Sequence, residues 1–544
     1  MWLAEVRAQV ERACRRALSE QNRDPHAPAH GCFDRRFWGW KLVDFPEATF
    51  QRNVLLPAWL LRHAPPAGGA ERAVLAASVR SGLAFAASVQ HADGSWDQAF
   101  PHEHSFGAAA FLLHPLLAGY LAVRDECGAA FRQGVEAALR RAADFLTAHG
   151  EEHGHIANHL AGAALSLARA GAFFGDERYG RRADELLASI LAHQSPEGWF
   201  LEYLGADPGY QTLCVYYLAQ LRELRPSAEL DAALARAAEF LAWFVHPDGS
   251  FGGEYGSRRT GVFYPGGLAL LAARGNATAA AIVRAMAASI SARRTVTLDG
   301  IDVANLAPLS ANYLLLLEHG PHIAEAVPPL PREREGAADF TAAGLHVRST
   351  ARHYVVVGAS NGGVVKVFGR GDGRVLVNDG GYAGEDARGG FVTTQGTGTG
   401  RATVNGGEIT VDAPFQAVPR ALPSPGRFLV LRPVNLTLMR SVGLGNAVKR
   451  ALVRLLISGG KPAPLSLRRT VRVAAEGVRI DDVLRAEKGT RLRSLECGRP
   501  FVAIHMASAR YFESADLAAA AFEPRPVDVE ALARDGEARA SLAV

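Results

Sequence analysis

Cysteine is scarce in this chain. Five of them, Cys14, Cys32, Cys127, Cys214 and Cys497, are scattered over 544 residues. The odd number and loose spacing exclude a disulfide framework and read as reduced, mostly buried thiols. No apolar run reaches the roughly 20 residues that a membrane-spanning helix needs. The opening Met1-Trp2-Leu3-Ala4-Glu5-Val6-Arg7 lacks the basic-then-apolar layout of an export signal, so a cytoplasmic location is expected. No glycine loop leads into a helix as a phosphate loop would, and Gly369-Arg370-Gly371-Asp372-Gly373 reads as a turn between strands. Acidic residues are missing altogether from 413–475, where eleven basic ones fall, among them Arg420, Arg432, Arg440, Arg454, Arg469 and Arg472. A stretch of that sign attracts a polyanion, whether an acidic glycan, a nucleic acid or a membrane surface.

What remains is ordinary for a soluble globular protein of two or three domains, 48% hydrophobic and 21% charged. The formal net charge of +4 hides an asymmetry: from residue 331 onward there are 30 Lys and Arg against 21 Asp and Glu. The first three hundred or so residues carry a glycine turn that recurs about every fifty residues. Gln90-His91-Ala92-Asp93-Gly94-Ser95-Trp96 is the clearest copy. Gln194-Ser195-Pro196-Glu197-Gly198-Trp199-Phe200 and His246-Pro247-Asp248-Gly249-Ser250-Phe251 follow, with echoes at Gly39-Trp40, His149-Gly150 and Asp299-Gly300. Each interval holds an apolar run, such as 106–123, and a one-faced amphipathic stretch with Phe131, Val135, Ala138, Leu139, Ala142, Phe145 and Leu146 on its apolar side. A helix apolar all round must be buried, so each repeat pairs an inner helix with an outer one. Six such pairs predict an (α/α) toroid over 1–325, an open solenoid being the alternative. The turn aromatics Trp40, Trp96, Trp199 and Phe251 are expected along one rim.

Prolines 321, 328, 329 and 331 close the helical part, and 326–338 reads as a linker. From 339 to 515 the pattern changes to short β-branched runs bounded by glycine, led by Tyr354-Val355-Val356-Val357 and Val364-Val365-Lys366-Val367-Phe368. Runs at 374–377, 409–411, 428–431, 436–439, 467–473 and 477–480 continue the series and predict an antiparallel β-sandwich. One basic amphipathic helix is expected inside it, at 446–457, either packed on the sandwich or resting on an anionic membrane surface. The tail 516–544 reads as a terminal helix or a frayed end.

The chemistry concentrates just past the glycine turns. Asn158-His159 opens one inner helix, and Glu202-Tyr203 with Asp207-Pro208-Gly209-Tyr210 occupies the equivalent place one repeat later. Tyr255, Arg258 and Arg259 hold it in the next repeat, and His102 and His104 in the preceding one. In a ring of stacked hairpins these positions share a rim. The residue types suit β-elimination on a uronic acid. An amide or arginine neutralises the carboxylate, a base removes the C5 proton, and an acid protonates the departing O4. His149, His153, His155 and His159 are spaced irregularly for a metal centre and lack an obvious carboxylate partner, so no metal and no cofactor are expected.

Asn158-His159 followed one repeat later by Tyr210, on a toroid followed by a sandwich, resembles the heparinase II/III-like polysaccharide lyases and the related alginate lyases. The resemblance implies Asn158 neutralising the uronate, Tyr210 as acid and base, and His159 assisting proton abstraction. Trp96, His104, Trp199, Glu202, Tyr203, Tyr255, Arg258, Arg259 and Tyr382 are expected to bind substrate. The family commonly adds a His or Tyr from an early strand of the β domain, where this chain has Asn361-Gly362-Gly363, with His353 or Tyr382 nearby. The partner implied is an acidic polysaccharide rather than nucleic acid. Two other readings stay open: a non-catalytic accessory protein that binds acidic glycan, and another toroid enzyme such as a hydrolase or epimerase. A hydrolase would need two carboxylates across the cleft, with Glu202, Asp207 and Glu103 as the candidates.

Overall fold

The computed structural model describes all residues except 1, 42, 64–68, 153, 421–423, 442, 449–460, 504–510 and 512–523. The helical half contains α1 (Trp2–Glu20), α2 (Arg35–Trp38), α3 (Leu55–His63), α4 (Gly69–Ser88), α5 (Phe106–Val123), α6 (Ala129–Ala148) and α7 (Ala157–Phe174). It continues with α8 (Glu177–Ala192), α9 (Pro208–Leu224), α10 (Ala228–Ala242), α11 (Gly266–Ala273), α12 (Ala277–Ser291) and α13 (Val303–His319). Helices α3, α5, α7, α9, α11 and α13 each touch the next, and α13 returns to α3, so the inner ring is closed. The toroid, not the solenoid, is the architecture. The periodicity explains the division of labour. α9 is buried from Pro208 to Leu221, whereas outer α8 buries only Tyr179, Ala183, Leu186, Leu187 and Ile190, a single stripe. Burying those five is worth roughly 10 kcal/mol before chain entropy is subtracted.

The glycine turns lock outer helices to the ring. In three copies the glycine N–H donates to the carbonyl three residues earlier, from Gly94 to His91, Gly198 to Ser195 and Gly249 to His246. Gly94 and Gly198 have φ of +93° and +97°, and a Cβ there would lie 2.1 and 2.3 Å from the Arg141 and Arg236 carbonyl oxygens of the neighbouring outer helices. Only glycine meets both demands. Gly39 (φ −71°) is not a copy of this turn, and neither Gly150 nor Gly300 has a positive φ. The expected aromatic rim is also corrected. Trp96, Trp199 and Phe251 point into the helical core, and Trp40 alone is exposed, at 82%.

The second half has two sheets. Five strands run in the order β1 (Gly336–Phe340), β2 (Leu345–Ser349), β3 (His353–Gly358), β4 (Val364–Gly369) and β5 (Val375–Asp379). A nine-stranded sheet is built from β6 (Ala383–Asp386), β7 (Phe391–Thr393), β8 (Arg401–Asn405), β9 (Glu408–Val418), β10 (Lys461–Val473), β11 (Val478–Ala486), β12 (Leu492–Cys497), β13 (Arg525–Pro526) and β14 (Glu537–Ala543). Every pairing is antiparallel. Val355, Val357, Val365 and Val367 face Ile409, Val411, Val471 and Ile480 of the larger sheet. The alternate residues Tyr354, Val356, Val364 and Phe368 join the core of the toroid. The small sheet is therefore covered on both faces, which is why its strands read as unbroken apolar runs.

Four expectations change here. Residues 428–431 and 436–439 are helical: Ser424 caps α14 (Pro425–Leu436) by accepting from the Arg427 N–H, Pro425 occupies its first turn, and a 3-10 turn follows at Leu438–Arg440. Phe428, Leu429, Val430 and Leu438 are exposed there, so the apolar run reflects no sheet core. β1 begins at Gly336, within the stretch read as linker. In the tail, Val529–Asp535 is a short helix, and β14 then pairs along β11 from Arg479–Ala543 to Arg485–Glu537. Most of 446–457, where a basic amphipathic helix is expected, lies outside the described residues. Part of the basic stretch is paired: Arg469 is fully buried between Asp379 and Asp482, Arg468 pairs with Asp412, Arg472 with Glu408 and Asp481, and Arg432 with Asp44.

Candidate functional site

The loops between the glycine turns and the inner helices lie side by side at the N-terminal ends of the ring. Ile156 bridges to Glu202, and the Ala157 N–H donates to the Leu201 carbonyl (3.1 Å), which sets the start of α7 against the loop one repeat later. Asp207 caps α9. One oxygen accepts from the Tyr210 N–H (2.9 Å), the other from the N–H groups of Arg258 (2.8 Å) and Thr260 (3.3 Å) in the following repeat. Burial pushes its carboxyl up to about 6, against the pull of those N–H groups.

Glu202 lies at the centre of the cluster. Its fully buried carboxylate accepts from the Asn158 backbone N–H (2.9 Å), from Asn158 Nδ2 with both oxygens (2.8 Å each), and from Arg258 Nη1 (3.2 Å). The Arg258 guanidinium carbon sits 3.4 Å from the centroid of the Tyr210 ring and 4.9 Å from that of Tyr203. Burial alone would lower the guanidinium pKa, but Tyr210 and Glu202 hold it above its ordinary value. Burial raises the Tyr203 phenol, opposed by Arg258, with Tyr210, Glu151 and Glu202 also near. Tyr203 has φ of +58°, a left-handed backbone that costs a non-glycine residue about 1 kcal/mol or more. Asn158 and Tyr210 are thus joined through Glu202 and Arg258, although about fifty residues separate them.

His159 turns the other way from its neighbour. Its Nδ1 meets Glu151 Oε2 at 2.5 Å, and its ring stands edge-on to Phe111. A buried carboxylate on Nδ1 fixes the tautomer with the proton there and leaves Nε2 as the acceptor. Glu151 was missed by the sequence reading; only its place beside the weakest glycine echo hinted at it. The Asn158 amide, to which the resemblance gave the uronate, donates from Nδ2 to both oxygens of Glu202, and its Oδ1 is buried without a hydrogen-bond partner among the described residues.

Other expected substrate contacts are buried scaffold. Trp96 donates its indole N–H to the Ala86 carbonyl, Trp199 donates to Glu197, the Tyr255 hydroxyl meets His246 Nε2, and Tyr382 donates to Asp482 inside the β domain. Arg259 (2% exposed) reaches the small sheet, where its Nη2 donates to Asn361 Oδ1 (3.2 Å) and burial lowers it to about 10. Asn361, standing where the family resemblance implied a histidine, also donates to the Glu254 carbonyl. His353 lies at the start of β3, with its Nδ1 buried and unpartnered. Tyr511 sits beside Tyr210, Tyr264 and Asp302 and was not foreseen. A cavity of about 200 Å³ opens among the later turns of the inner helices, lined by Trp59, Arg62, His114, Arg169, Tyr216 and Glu318, away from this cluster.

The histidines of the 149–159 tract that are described go separate ways: His149 to the Phe145 carbonyl, His155 stacked on His193, His159 to Glu151. His153 lies outside the described residues. His104, expected to bind substrate, bonds through Nδ1 to Asp93 and gathers with His91 and His102 on the loop before α5.

With this geometry in hand, residues 68–269 match the family model of the ulvan lyase N-terminal domain, a range that includes Asn158, His159, Glu202, Tyr210 and Arg258. Among solved structures, the chain is similar to the chondroitin AC lyase of Streptomyces coelicolor A3 at 13% identity and a TM-score of 0.55, over 91% of this chain and 67% of that one. It also matches heparinase III (11% identity, TM-score 0.47, 82% of this chain and 63% of that one) and the heparan sulfate lyase of Pedobacter heparinus (13%, 0.41, 90% and 71%). The chain thus spans about two thirds of the length of the first two. No curated protein matches it. The fold, a helical toroid followed by antiparallel sheets, is that of toroid polysaccharide lyases.

Proposed function

We propose that the protein is a polysaccharide lyase that cleaves an acidic, uronate-containing polysaccharide by β-elimination. The observation that carries this reading is the buried Arg258 guanidinium lying against the Tyr210 ring, on the rim where α7 also begins with His159, its imidazole oriented by Glu151. His159, with Nδ1 held by Glu151, offers Nε2 to take the C5 proton. Tyr210 protonates the departing O4 and remains close to Arg258 as charge develops. Arg258, whose Nε has no hydrogen-bond partner among the described residues, neutralises the uronate carboxylate. Asn158 holds Glu202, and Glu202 holds Arg258, so the amide positions rather than binds. C–H cleavage leaves an enolate-like carboxylate, and its collapse expels O4 and leaves a 4,5 double bond.

The bonding disfavours a hydrolase. Glu202, Asp207 and Glu103 each accept two or more N–H groups, so each carboxyl is tied into its own loop scaffold, where a hydrolase needs a pair facing the substrate. The test is to incubate the untagged chain with a panel of uronate polymers and follow ultraviolet absorbance of the unsaturated product. Activity on at least one polymer is expected, falling about 10²- to 10⁴-fold in Tyr210→Phe and in His159→Gln. No product on any polymer, or undiminished activity in both variants, refutes the reading. Salt-sensitive glycan binding without product favours an accessory protein instead.

A further inference from the structure

The loop 97–104 joins the first glycine turn to α5, and its ends are tied by the bridge between Trp96 and Ser105. It carries His102 and His104, while His91 stands on the turn itself. One ring nitrogen from each of these three histidines falls within 4.8 Å of the other two. The rings of His91 and His104 stack at 4.3 Å, and His102 lies 5.7 Å from His91.

The surrounding bonds determine which nitrogens are left over. His91 Nε2 meets Asp97 Oδ1 at 2.7 Å, and His104 Nδ1 meets Asp93 Oδ2 at 2.7 Å and Ser95 Oγ at 3.0 Å. A carboxylate on one ring nitrogen fixes the proton there, so His91 Nδ1 and His104 Nε2 keep their lone pairs. The His102 ring has no hydrogen-bond partner among the described residues. Asp97 also organises the loop: its Oδ2 accepts from the His102 N–H (2.8 Å), and its Oδ1 from those of Glu103 (2.7 Å) and His104 (3.3 Å). His102 and His104 are both held at positive φ, +59° and +51°, an uncommon backbone for a non-glycine residue. A structural core would not need three half-buried imidazoles brought together, two of them with a carboxylate behind.

We propose that His91, His102 and His104 form a zinc site on the toroid rim, with Asp97 and Asp93 as the carboxylates that orient two of the ligands. Imidazole-only ligation suits zinc among the common divalent ions. Tetrahedral Zn–N bonds of about 2.0–2.1 Å place ligand nitrogens about 3.3 Å apart, so ring nitrogens that lie within 4.8 Å of one another need to close by no more than about 1.5 Å. Three protein ligands leave the fourth position to water. The loop leads directly into α5, where a Cβ on Gly107 would lie 3.2 Å from the His159 ring. The metal therefore clamps the segment on which His159 rests. The proposal does not depend on the lyase reading, since it concerns binding alone.

The untagged full chain, stripped with chelator and dialysed, is titrated with zinc chloride by calorimetry. One equivalent is expected to bind, with at least about tenfold weaker binding in His102→Ala and none of that loss in His26→Ala, an exposed histidine elsewhere. A second measurement needs no variant. Zinc is expected to protect His91, His102 and His104 from diethyl pyrocarbonate, read by peptide mass, while His26 reacts unchanged. No saturable zinc uptake, equal uptake by His102→Ala and the parent, or unprotected modification of the three histidines overturns the proposal.

Discussion

Glu202→Gln tests the centre of the cluster. The substitution keeps the shape and one acceptor oxygen but turns the other into a donor, facing either Asn158 Nδ2 or Arg258 Nη1, both donors themselves. It also leaves Arg258, 7% exposed, without its counter-charge. Breaking a buried ion pair from one side costs about 3–5 kcal/mol, and Glu202 takes four donor contacts, so the upper half of that range is expected. Against a total of about 5–15 kcal/mol this is a large share. Urea unfolding followed by circular dichroism measures it. A double-mutant cycle with Arg258→Met separates the pair from its surroundings, and a coupling of about 2 kcal/mol is expected because Met leaves no stranded charge. A loss under about 1 kcal/mol in Glu202→Gln, or strict additivity in the cycle, refutes the claim that one carboxylate holds both Asn158 and Arg258.

Three further outcomes follow from the same coordinates. Burial holds the His155 imidazole down to about 4, with His193 adding to the effect. Its folded value lies below the unfolded one, so stability is complete above about pH 6.5 and falls as pH drops toward 4. At pH 5 the loss is about 1 kcal/mol after halving for partial exposure, and His155→Gln removes it in urea titrations at pH 7 and 5. Gly198→Ala must place a Cβ 2.3 Å from the Arg236 carbonyl at φ +97°, and is expected to cost about 2–3 kcal/mol in thermal unfolding, whereas Gly175→Ala, with open space around it, costs about 1. Arg469→Met strands Asp482 in the sandwich and leaves Asp379 to Arg525; it is expected to cost about 3–5 kcal/mol, recovered in part by Asp482→Asn.

The toroid was legible because its signal is a period. Three glycine turns share both a left-handed glycine and a hydrogen-bond pattern, and that geometry needs a recognisable sequence. Gly39, Gly150 and Gly300 were counted by spacing alone and lack the conformation. The small sheet was legible for a similar reason, since burial on both faces leaves strands such as Val364–Gly369 almost no polar positions. Helix α14 was misread because the unbroken apolar run Phe428-Leu429-Val430-Leu431 outweighed the Ser424-Pro425 start signal, which is a matter of two residues. Repeat position brings Asn158, Glu202, Tyr210 and Arg258 together, but position does not say which way a side chain points. Trp96, Trp199 and Tyr255 turn inward to bury large rings, and Asn158 turns to Glu202. Glu151 and the His91, His102 and His104 grouping were invisible for another reason: they depend on how irregular loops close, which no period encodes.

The two halves of the molecule meet through charge as well as apolar surface. Lys366 of β4 pairs with Glu254 at 2.8 Å, Arg259 donates to Asn361, and the Tyr354 hydroxyl donates to the Trp243 carbonyl at 2.6 Å. Glu254 and Arg259 belong to the loop that also carries Arg258, so the small sheet grips the same segment whose next side chain lies against Tyr210. A residue in place of Asn361 that cannot accept from Arg259 therefore acts on the rim without touching it. Asn361→Leu removes the acceptor and leaves a guanidinium that burial already holds at about 10 with one partner fewer. The cost expected is about 1–3 kcal/mol, carried by the Arg258–Arg259 loop. If the rim works as proposed, the same variant lowers turnover of the uronate polymer more than it raises KM, because the displaced group is Arg258 rather than a remote binding contact. Unchanged stability in Asn361→Leu would show that Arg259 finds another acceptor and that the sheet does not hold the loop.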